Sequence, residues 1–562
     1  MIEKQTLPSI KSPARHRLSE RIVIGLFLII LMVSVGTELR TILSDSNFHE
    51  ELRILYHFDP GRTNSKDYAG QFLSQFPQPL LYALITKAAI SADVDLIFFH
   101  KLLVVFCSFL FLAGAAAAGW RIGGTLAAVV ITAFIAAQPI YNYQISSATP
   151  HAFAFPLLMW ALVSLLYDRL HSLAGLTALS SFLYPPIAPV LGLILAWHFT
   201  VTRKGLSKKN QDRTANVVVI GIVAVISIAL LRYQLSPIEG YGASLAPDDM
   251  IDTYPENGPD GRHFYGVFNP LKYVYGSAIG QFHVAVPLFA IIFVPFCIVA
   301  IAGLGLYYFR HRPELFRSIL SFIIPSVLFA ILVTWLRPYV SYRFVLYPLL
   351  TILPLLFVYG LFILCYDHSS TLRYPAAIIA AVVVPLVLSF SDTDGHRSLA
   401  PLQLDEPSSE LMSYLRQVPE ESLIAAWPYE VETSLIPYVA GRPLLVDYKA
   451  HYPSYEGHIR EMRMRMFDLI DAYLAQDLQP LIDMRCRWHV DFLVVDRSHF
   501  SDQGAPPTYF APFNDRIEEV LNAAEKSELV LSRPPADAVV FAAGRFSVLD
   551  LALLAGDKSC PN

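Results

Sequence analysis

LAGLTALSSFLYPPIAPVLGLILAWHF, residues 173–199, decides how this chain is threaded. A membrane-crossing helix needs roughly 20 apolar residues. This stretch is longer, and Pro185 and Pro186 interrupt it near the middle, where proline removes a backbone donor and crowds the preceding turn. Read as one helix, with the short PLLYALITKAAISA (79–92) also crossing, it leaves Arg121 and Arg169 outside. Read as two half-length helices meeting at Tyr184, with 79–92 lying along the surface, it puts both arginines inside with Arg203, Lys204, Lys208, Lys209 and Arg213. The excess of Lys and Arg in inner loops favours the second reading. RHRPELFR (310–317) and DHSSTLR (367–373) agree with it as inner loops, and the expected total is about eleven membrane helices.

The composition fits that threading. Of 562 residues, 54% are hydrophobic and 16% charged, with mean hydropathy +0.46, against roughly 25% charged in soluble domains. The fold class is a polytopic α-helical membrane protein. Further apolar segments lie at about 96–118, 123–140, 151–167, 216–231, 284–308, 318–335, 344–364 and 374–390. A net charge of -5 without a basic field excludes nucleic acid as a partner. Residues 1–21 carry Lys4, Lys11, Arg15, Arg17 and Arg21 before an apolar run from Ile22 to Val35, and no small-residue cleavage site follows. The expectation is an uncleaved first span with a cytoplasmic N-terminus, in a bacterial inner or plasma membrane.

A transmembrane region over 22–391 then has a first outer loop at 40–95. That loop contains SDSNFHEELRILYHFDPGRTNSKDYAG (44–70), in which Asp45, Glu50, Glu51, Asp59 and Asp67 accumulate beside His49 and His57. YNYQISSATPH (141–151) and the break at Tyr184 fall on the same side. Irregular backbone at membrane depth is tolerated where it lines a cavity, because its polar groups then have water or protein partners. An outward-facing cavity is expected, rimmed also by a long loop from Tyr233 to Gly280 and by RPYVSYR (337–343). The long loop holds APDDMIDTYPENGPDGRHFYG (246–266), rich in turn formers and acids.

From 392 to 562 the composition turns polar, and an odd number of spans places this α/β domain outside. LIAAW (423–427), PLLVDY (443–448), DFLVVD (491–496), ELVLS (528–532) and AVVFAAGRFSVLDL (538–551) read as strands. EGHIREMRMRMFDLIDAYLAQD (456–477) and FNDRIEEVLNAAEKSE (513–528) read as helices. His451 and His458, in HYPSYEGH, read as surface-loop residues without metal-like partners. Cys107, Cys297 and Cys365 fall in apolar spans; Cys486 and Cys560 are able to pair in an oxidising compartment.

No GxxxxGK[ST] loop, strand-linked GxGxxG or HExxH occurs, so the sequence offers no nucleotide site. GRFSV (544–548) lacks the spacing of a serine-hydrolase elbow. No ligand motif for a divalent metal is present, which leaves metal and cofactor use open.

Three features resemble the GT-C superfamily of membrane glycosyltransferases, which includes protein O-mannosyltransferases, the aminoarabinose transferase and the oligosaccharyltransferase catalytic subunit. The first is an acidic first outer loop, Glu50, Glu51, Asp59 and Asp67, followed by the surface helix 79–92. The second is YRFVLYPLLTILPLLF (342–357), an arginine-then-proline opening of a late span with Arg343 as the basic residue. The third is the order AAWPYE, IPYVAGRPLLVDY, helix, DFLVVD in the outer domain. The resemblance implies transfer of a sugar from a polyprenyl-phosphate donor to a glycan, lipid or protein acceptor at the outer face. Such chemistry needs a base near the acceptor and cations on the leaving phosphate. Glu50 and Asp67, with Glu51 and Asp59 behind them, are the candidate bases. Arg337, Arg343, Tyr342, His151 and Tyr184 are the candidate substrate contacts. Two other readings stay open: a transporter or flippase for lipid-linked or small polar molecules, and a non-catalytic assembly or sensor protein.

Overall fold

The computed structural model describes residues 47–48, 58, 66–136, 139–202, 218–232, 238–245, 253–258, 260–262, 313–336, 343–344, 347–352, 355–356, 402–555 and 560, apart from 219–220, 223, 231, 452–453, 502–503 and 524. Glu50, Glu51, Asp59, Arg337 and Tyr342 lie outside these residues, as do the N-terminal 1–21, the first span, the loops 203–213 and 367–373, and the segments 284–308 and 374–390. Part of the expected count of eleven helices falls there too.

The stretch 173–199 forms two helices. Helix α1 (Leu170–Leu183) ends at Tyr184, a single turn follows at Pro185–Ile187, and α2 (Ala188–Thr202) leaves it. His198 near the end of α2 lies 3.1 Å from Asp168, just before α1, so the two run antiparallel. At that same end Arg121 Nε donates to the Leu166 carbonyl at 3.0 Å. Ser318 donates to the Leu165 carbonyl at 2.9 Å. Arg121 and Arg169 therefore share one end of the bundle, and Tyr184 lies at the other.

Two helices among the described residues are long and apolar enough to cross a membrane, Leu96–Thr125 and Pro313–Val333. The first belongs to α3 (Leu96–Ala136), which folds back on itself at Gly123 and Gly124. Gly124 has φ +76, a conformation open to glycine and costly for other residues. The two legs approach so closely at Gly119 that an added Cβ would stand 2.6 Å from the Ala128 Cα. The second long helix starts at Pro313, so PELFR continues a span instead of forming the expected loop. Leu80–Ser91, at 12 residues, is about 18 Å long and too short to cross. Its Tyr82, Thr86 and Ala89 are buried at helical spacing, while Leu80 and Leu84 are exposed.

The C-terminal part builds a four-stranded sheet in the order β3-β4-β6-β5, where β3 is Ile424–Ala426, β4 Phe492–Asp496, β5 Val539–Ala543 and β6 Phe546–Asp550. β3 and β4 are parallel, and β6 is antiparallel to both β4 and β5. AVVFAAGRFSVLDL is thus a hairpin of two strands, with Gly544 at φ +52 in its turn. PLLVDY makes a single bridge, Ile424 to Leu444, instead of a strand. Pro443 has no N–H for a ladder, and Asp447 turns the chain by accepting from Lys449 N at 3.0 Å. ELVLS is also not a strand: Glu525 and Glu528 cap one another across a short helical turn, and Val530–Ser532 forms a second one. The helical readings hold for Glu456–Tyr473 and for Phe513–Ala523. Cys486 and Cys560 form a disulfide with Cα atoms 5.1 Å apart.

Three stretches distant in sequence meet on this C-terminal part. β1 (Asn47–Phe48) pairs antiparallel with β2 (Leu402–Gln403). Lys66 Nζ lies 2.8 Å from Asp491. From the 238–262 segment, Leu245 N donates to Ser454 O at 3.0 Å, and Arg262 donates to His451 O at 2.6 Å. Glu256, wholly buried, receives Arg463 bidentately at 2.8 and 2.6 Å. Removing one partner of such a pair strands a buried charge, at a cost of about 3 kcal/mol. Arg463→Ala should lower the melting temperature and open 238–262 to protease. The Arg463→Gln, Glu256→Gln double variant, which buries no charge, should recover part of that loss; equal melting of wild type and Arg463→Ala would leave the pair without structural weight.

Candidate functional site

The bundle end opposite Arg121 carries a polar patch within apolar surroundings. YNYQISSATPH, expected as a loop, begins as the helix Pro139–Ser146, turns at Ala148 with φ +45, and enters the short turn Pro150–Phe153. The irregular backbone frees polar groups that must find partners. Ser147 Oγ donates to the Gln144 carbonyl at 2.7 Å, and its hydroxyl lies 3.1 Å from that of Thr149. Thr149 Oγ1 lies 2.7 Å from His151 Nδ1. These distances fix the proton order. Ser147 has one hydroxyl proton and gives it to the carbonyl, so Thr149 donates to Ser147, and His151 Nδ1–H donates to Thr149. Thr149 Oγ1 also lies 3.4 Å from His151 Nε2, so the hydroxyl holds the imidazole along one edge.

Aromatic rings close the patch. Tyr347 OH donates to Gln144 Oε1 at 2.9 Å, and Tyr141 OH donates to the Leu350 carbonyl at 2.7 Å. Tyr184 sits 6.3 Å from Tyr347 between ring centres, and Phe155 5.0 Å from it. Tyr184 and His151 lie at the two ends of one chain of contacts through Tyr347, Gln144, Ser147 and Thr149. Arg343, half-buried, precedes Tyr347 by four residues. Tyr347 carried no distinctive signal in YRFVLYPLL; its role follows from its contact with Gln144.

Among the described residues, Tyr82 links this patch to the first loop. Tyr82, buried in Leu80–Ser91, packs edge-on against Phe153 at 6.4 Å and against Phe58 at 5.9 Å. Phe58 belongs to the first loop, next to Asp59 in sequence. Tyr82 also belongs to the same apolar cluster as Cys107 and as Tyr438 of the C-terminal part.

Asp67 lies in different surroundings. It is buried and caps α4 (Tyr68–Gln75), its Oδ1 accepting from Gly70 N at 2.7 Å. Helix α4 packs through Ala69, Phe72 and Leu73 against Ile238, Tyr241, Ala450 and Tyr455. His451 and His458 are both fully buried here, which corrects their reading as surface residues. His458 Nε2 lies 2.7 Å from the Ala450 carbonyl and its ring stacks on Phe72 at 3.6 Å. An exposed loop is no place for a residue with that many partners. The sequence signal was faint: HYPSYEGH looks polar, and its burial depends on rings supplied from 68–76 and 241.

Among the described residues no group of three His, Cys, Asp or Glu is arranged to hold a metal ion. The patch instead offers a fixed imidazole, an amide, two hydroxyls and tyrosine rings, a set suited to orienting a hydroxylated molecule.

No family model matches the chain, and no curated protein matches it in sequence. Solved structures similar to it include the oligosaccharyltransferase of Archaeoglobus fulgidus in the apo form, at 12% identity over 85% of this chain and 70% of that one, with a TM-score of 0.48. ArnT from Cupriavidus metallidurans in the apo state is similar at 12% identity over 95% of this chain and 99% of that one, TM-score 0.48. The same protein bound to undecaprenyl phosphate gives 13% identity over 97% and 100%, TM-score 0.47. These are GT-C glycosyltransferases.

Thr149 is the link that sets the histidine tautomer. Thr149→Val should cost about 1–3 kcal/mol by leaving buried donors and acceptors unsatisfied, whereas Thr149→Ser should keep the chain and most of the stability. Thermal unfolding in detergent of the three proteins reads this, and a Val variant as stable as wild type would remove the proposed proton order.

Proposed function

We propose that this chain is a membrane glycosyltransferase of GT-C type that moves a sugar from a polyprenyl-phosphate donor to a glycan, lipid or protein acceptor at the outer membrane face. The observation that carries this reading is the fixed polar patch Gln144, Ser147, Thr149, His151 and Tyr347 at the end of an apolar bundle, joined through Tyr82 to the first loop. A lipid-linked donor needs its tail among apolar helices and its phosphate and sugar at their ends. Polar side chains fixed at such a boundary present hydrogen-bonding groups where a lipid-linked sugar would lie. His151 Nε2 suits an acceptor or sugar hydroxyl, and Tyr184 and Tyr342 suit its ring. Arg343, with Arg337, suits the leaving phosphate, because guanidinium stays charged and offers paired donors.

The first-loop carboxylates supply the base in this reading. Glu50 remains the first choice. Asp67 spends one oxygen on capping α4, which favours an acceptor-positioning role for it over proton abstraction; Glu51 and Asp59 are the reserves.

The outer assignment rests on charge and on the disulfide. Arg121 and Arg169 gather at one bundle end, as the positive-inside rule asks of a cytoplasmic face. The Cys486–Cys560 bond fits an oxidising, extracytoplasmic compartment for 392–562. Both Ser74 and His171 are exposed. Ser74→Cys should react with an impermeant maleimide in intact cells, and His171→Cys only after permeabilisation; the reverse pattern would invert the site.

Activity is tested with purified protein in proteoliposomes carrying radiolabelled polyprenyl-phosphate sugars and membrane extract as acceptor, scored by label leaving the polyprenyl-phosphate donor. Loss of a general base lowers rates by about 10²–10⁴. Glu50→Gln should show such a loss; if amides at 50, 51, 59 and 67 all transfer normally, the catalytic role of the loop fails. In the same vesicles Arg343→Lys should weaken donor-analogue binding by about one decade and Arg343→Ala by about two, as charge-assisted bonds allow. A lysine variant with wild-type affinity would make Arg343 a headgroup anchor.

A further inference from the structure

We propose that His458 is a positioning residue for Asp67: its imidazole locks helix α4, with Asp67 at its cap, onto both the C-terminal part and the 238–262 segment. His458 gains a part in turnover only under the glycosyl-transfer reading, on which the activity readout rests. The lock itself stands on geometry.

His458 lies in the first turn of Glu456–Tyr473 and touches all three pieces. Its ring is sandwiched against α4, nearly parallel to Phe72 at 3.6 Å and to Tyr68 at 5.5 Å. Its backbone N–H donates to the Tyr241 carbonyl at 3.1 Å, and the Tyr241 ring meets it edge-on at 5.9 Å. Nε2 faces the Ala450 carbonyl at 2.7 Å. A carbonyl only accepts, so Nε2 carries the proton and Nδ1 keeps a lone pair. Tyr68 OH, 3.3 Å away, donates to it. Gly457 allows this approach, since a Cβ there would stand 2.9 Å from the Tyr241 carbonyl oxygen.

The surroundings disfavour an imidazolium. Arg465 lies over Tyr68 at 4.7 Å and is held by Glu461 at 2.9 Å; Arg262 approaches from the 238–262 segment, and Asp67 acts on Tyr241. Burial first, then Arg262 and Arg465, holds the imidazole down to about 4, against the hydrogen bond to Ala450, which raises it. Burial and Glu461 push the Tyr68 phenol up, so it stays a donor. A second proton on Nδ1 would place a charge in a site shut off from water and close to Arg262 and Arg465. The unfolded imidazole takes up its proton near pH 6.5 and the folded one only near 4. The lock is therefore at full strength above about pH 6.5, weakens as pH falls, and is lost through about 4.

Two variants separate positioning from mere packing. His458→Gln supplies an N–H for Ala450 and an oxygen for Tyr68 but does not titrate. His458→Phe keeps the stacked ring and loses both bonds. Hydrogen exchange of residues 66–76 in the full-length protein, corrected for intrinsic rates, reads the lock without turnover. Wild type should lose protection there between pH 7 and pH 4.5, His458→Gln should keep it, and His458→Phe should lack it at both. In the vesicle assay the Phe variant should fall by about 10²-fold in kcat with donor affinity unchanged, the scale of a small misplacement. Gln should recover most of that and flatten the acid limb. Wild-type protection indifferent to pH, or an acid limb identical in wild type and Gln, overturns the proposal. A pH-dependent lock in a protein without transfer at any pH upholds the lock and defeats the glycosyl-transfer reading.

Discussion

One apolar cluster runs without a break from the membrane helices into the C-terminal sheet, and the rest of the structure depends on that continuity. It joins Cys107 and Phe111 of the first long helix, Phe153 and Phe155, Tyr82 of the short helix, Ile436 and Tyr438, and Val494 and Val548 of the sheet. Hydrophobic attraction has no direction, so a continuous cluster fixes that the two parts touch without fixing their alignment. Alignment comes from the polar contacts around it. The bidentate Arg463–Glu256 pair and the β1–β2 ladder restrict rotation in ways that ring packing does not.

The polar patch at the bundle end follows from the same economy of backbone bonds. Two half-length helices meeting at Tyr184 cannot carry their hydrogen-bond ladders through the turn, and Pro185 and Pro186 ensure it. The neighbouring turn at Ala148 has the same defect. Ser147 and Thr149 answer it locally with their own hydroxyls, which is what short polar side chains do beside broken helices. Because each hydroxyl has one proton, satisfying the Gln144 carbonyl orients every later bond as far as the imidazole. A structural need thus holds the histidine ring against Thr149 at the bundle end.

How much of this was legible follows from where each signal lives. Pro185–Pro186 with Arg121 and Arg169 was enough to choose two antiparallel helices, because steric exclusion and charge placement are local properties. The Asp491–Asp496 strand and the 456–473 helix were readable from periodicity for the same reason. ELVLS and PLLVDY were not. Both have strand composition, yet a cap between Glu525 and Glu528 and the missing donor of Pro443 outweigh it. Asp67 stands out in the sequence as a carboxylate in an acidic loop; that one of its oxygens caps a helix depends on the backbone N–H of Gly70 three residues later, which composition does not show. Tyr347 and His458 were beyond reach, since their partners stand about 200 and 390 positions away in sequence.

The contacts of the C-terminal part share a chemistry that the composition foreshadows. Arg465 lies between Tyr68 and Trp488, at 4.7 and 4.6 Å, and Arg262 over Tyr448 at 4.7 Å. Cations on ring faces tolerate small shifts in distance better than a directional hydrogen bond does, because the attraction to the ring falls off gradually. His458 is the exception within this layer: a neutral ring stacked at 3.6 Å and bonded at both nitrogens has no such tolerance. The layer is accordingly compliant at its edges, where arginines meet tyrosines, and stiff at the one point where α4, the 238–262 segment and the C-terminal helix coincide. Stiffness at that point fixes Asp67, at the start of α4, relative to the helix that carries His458.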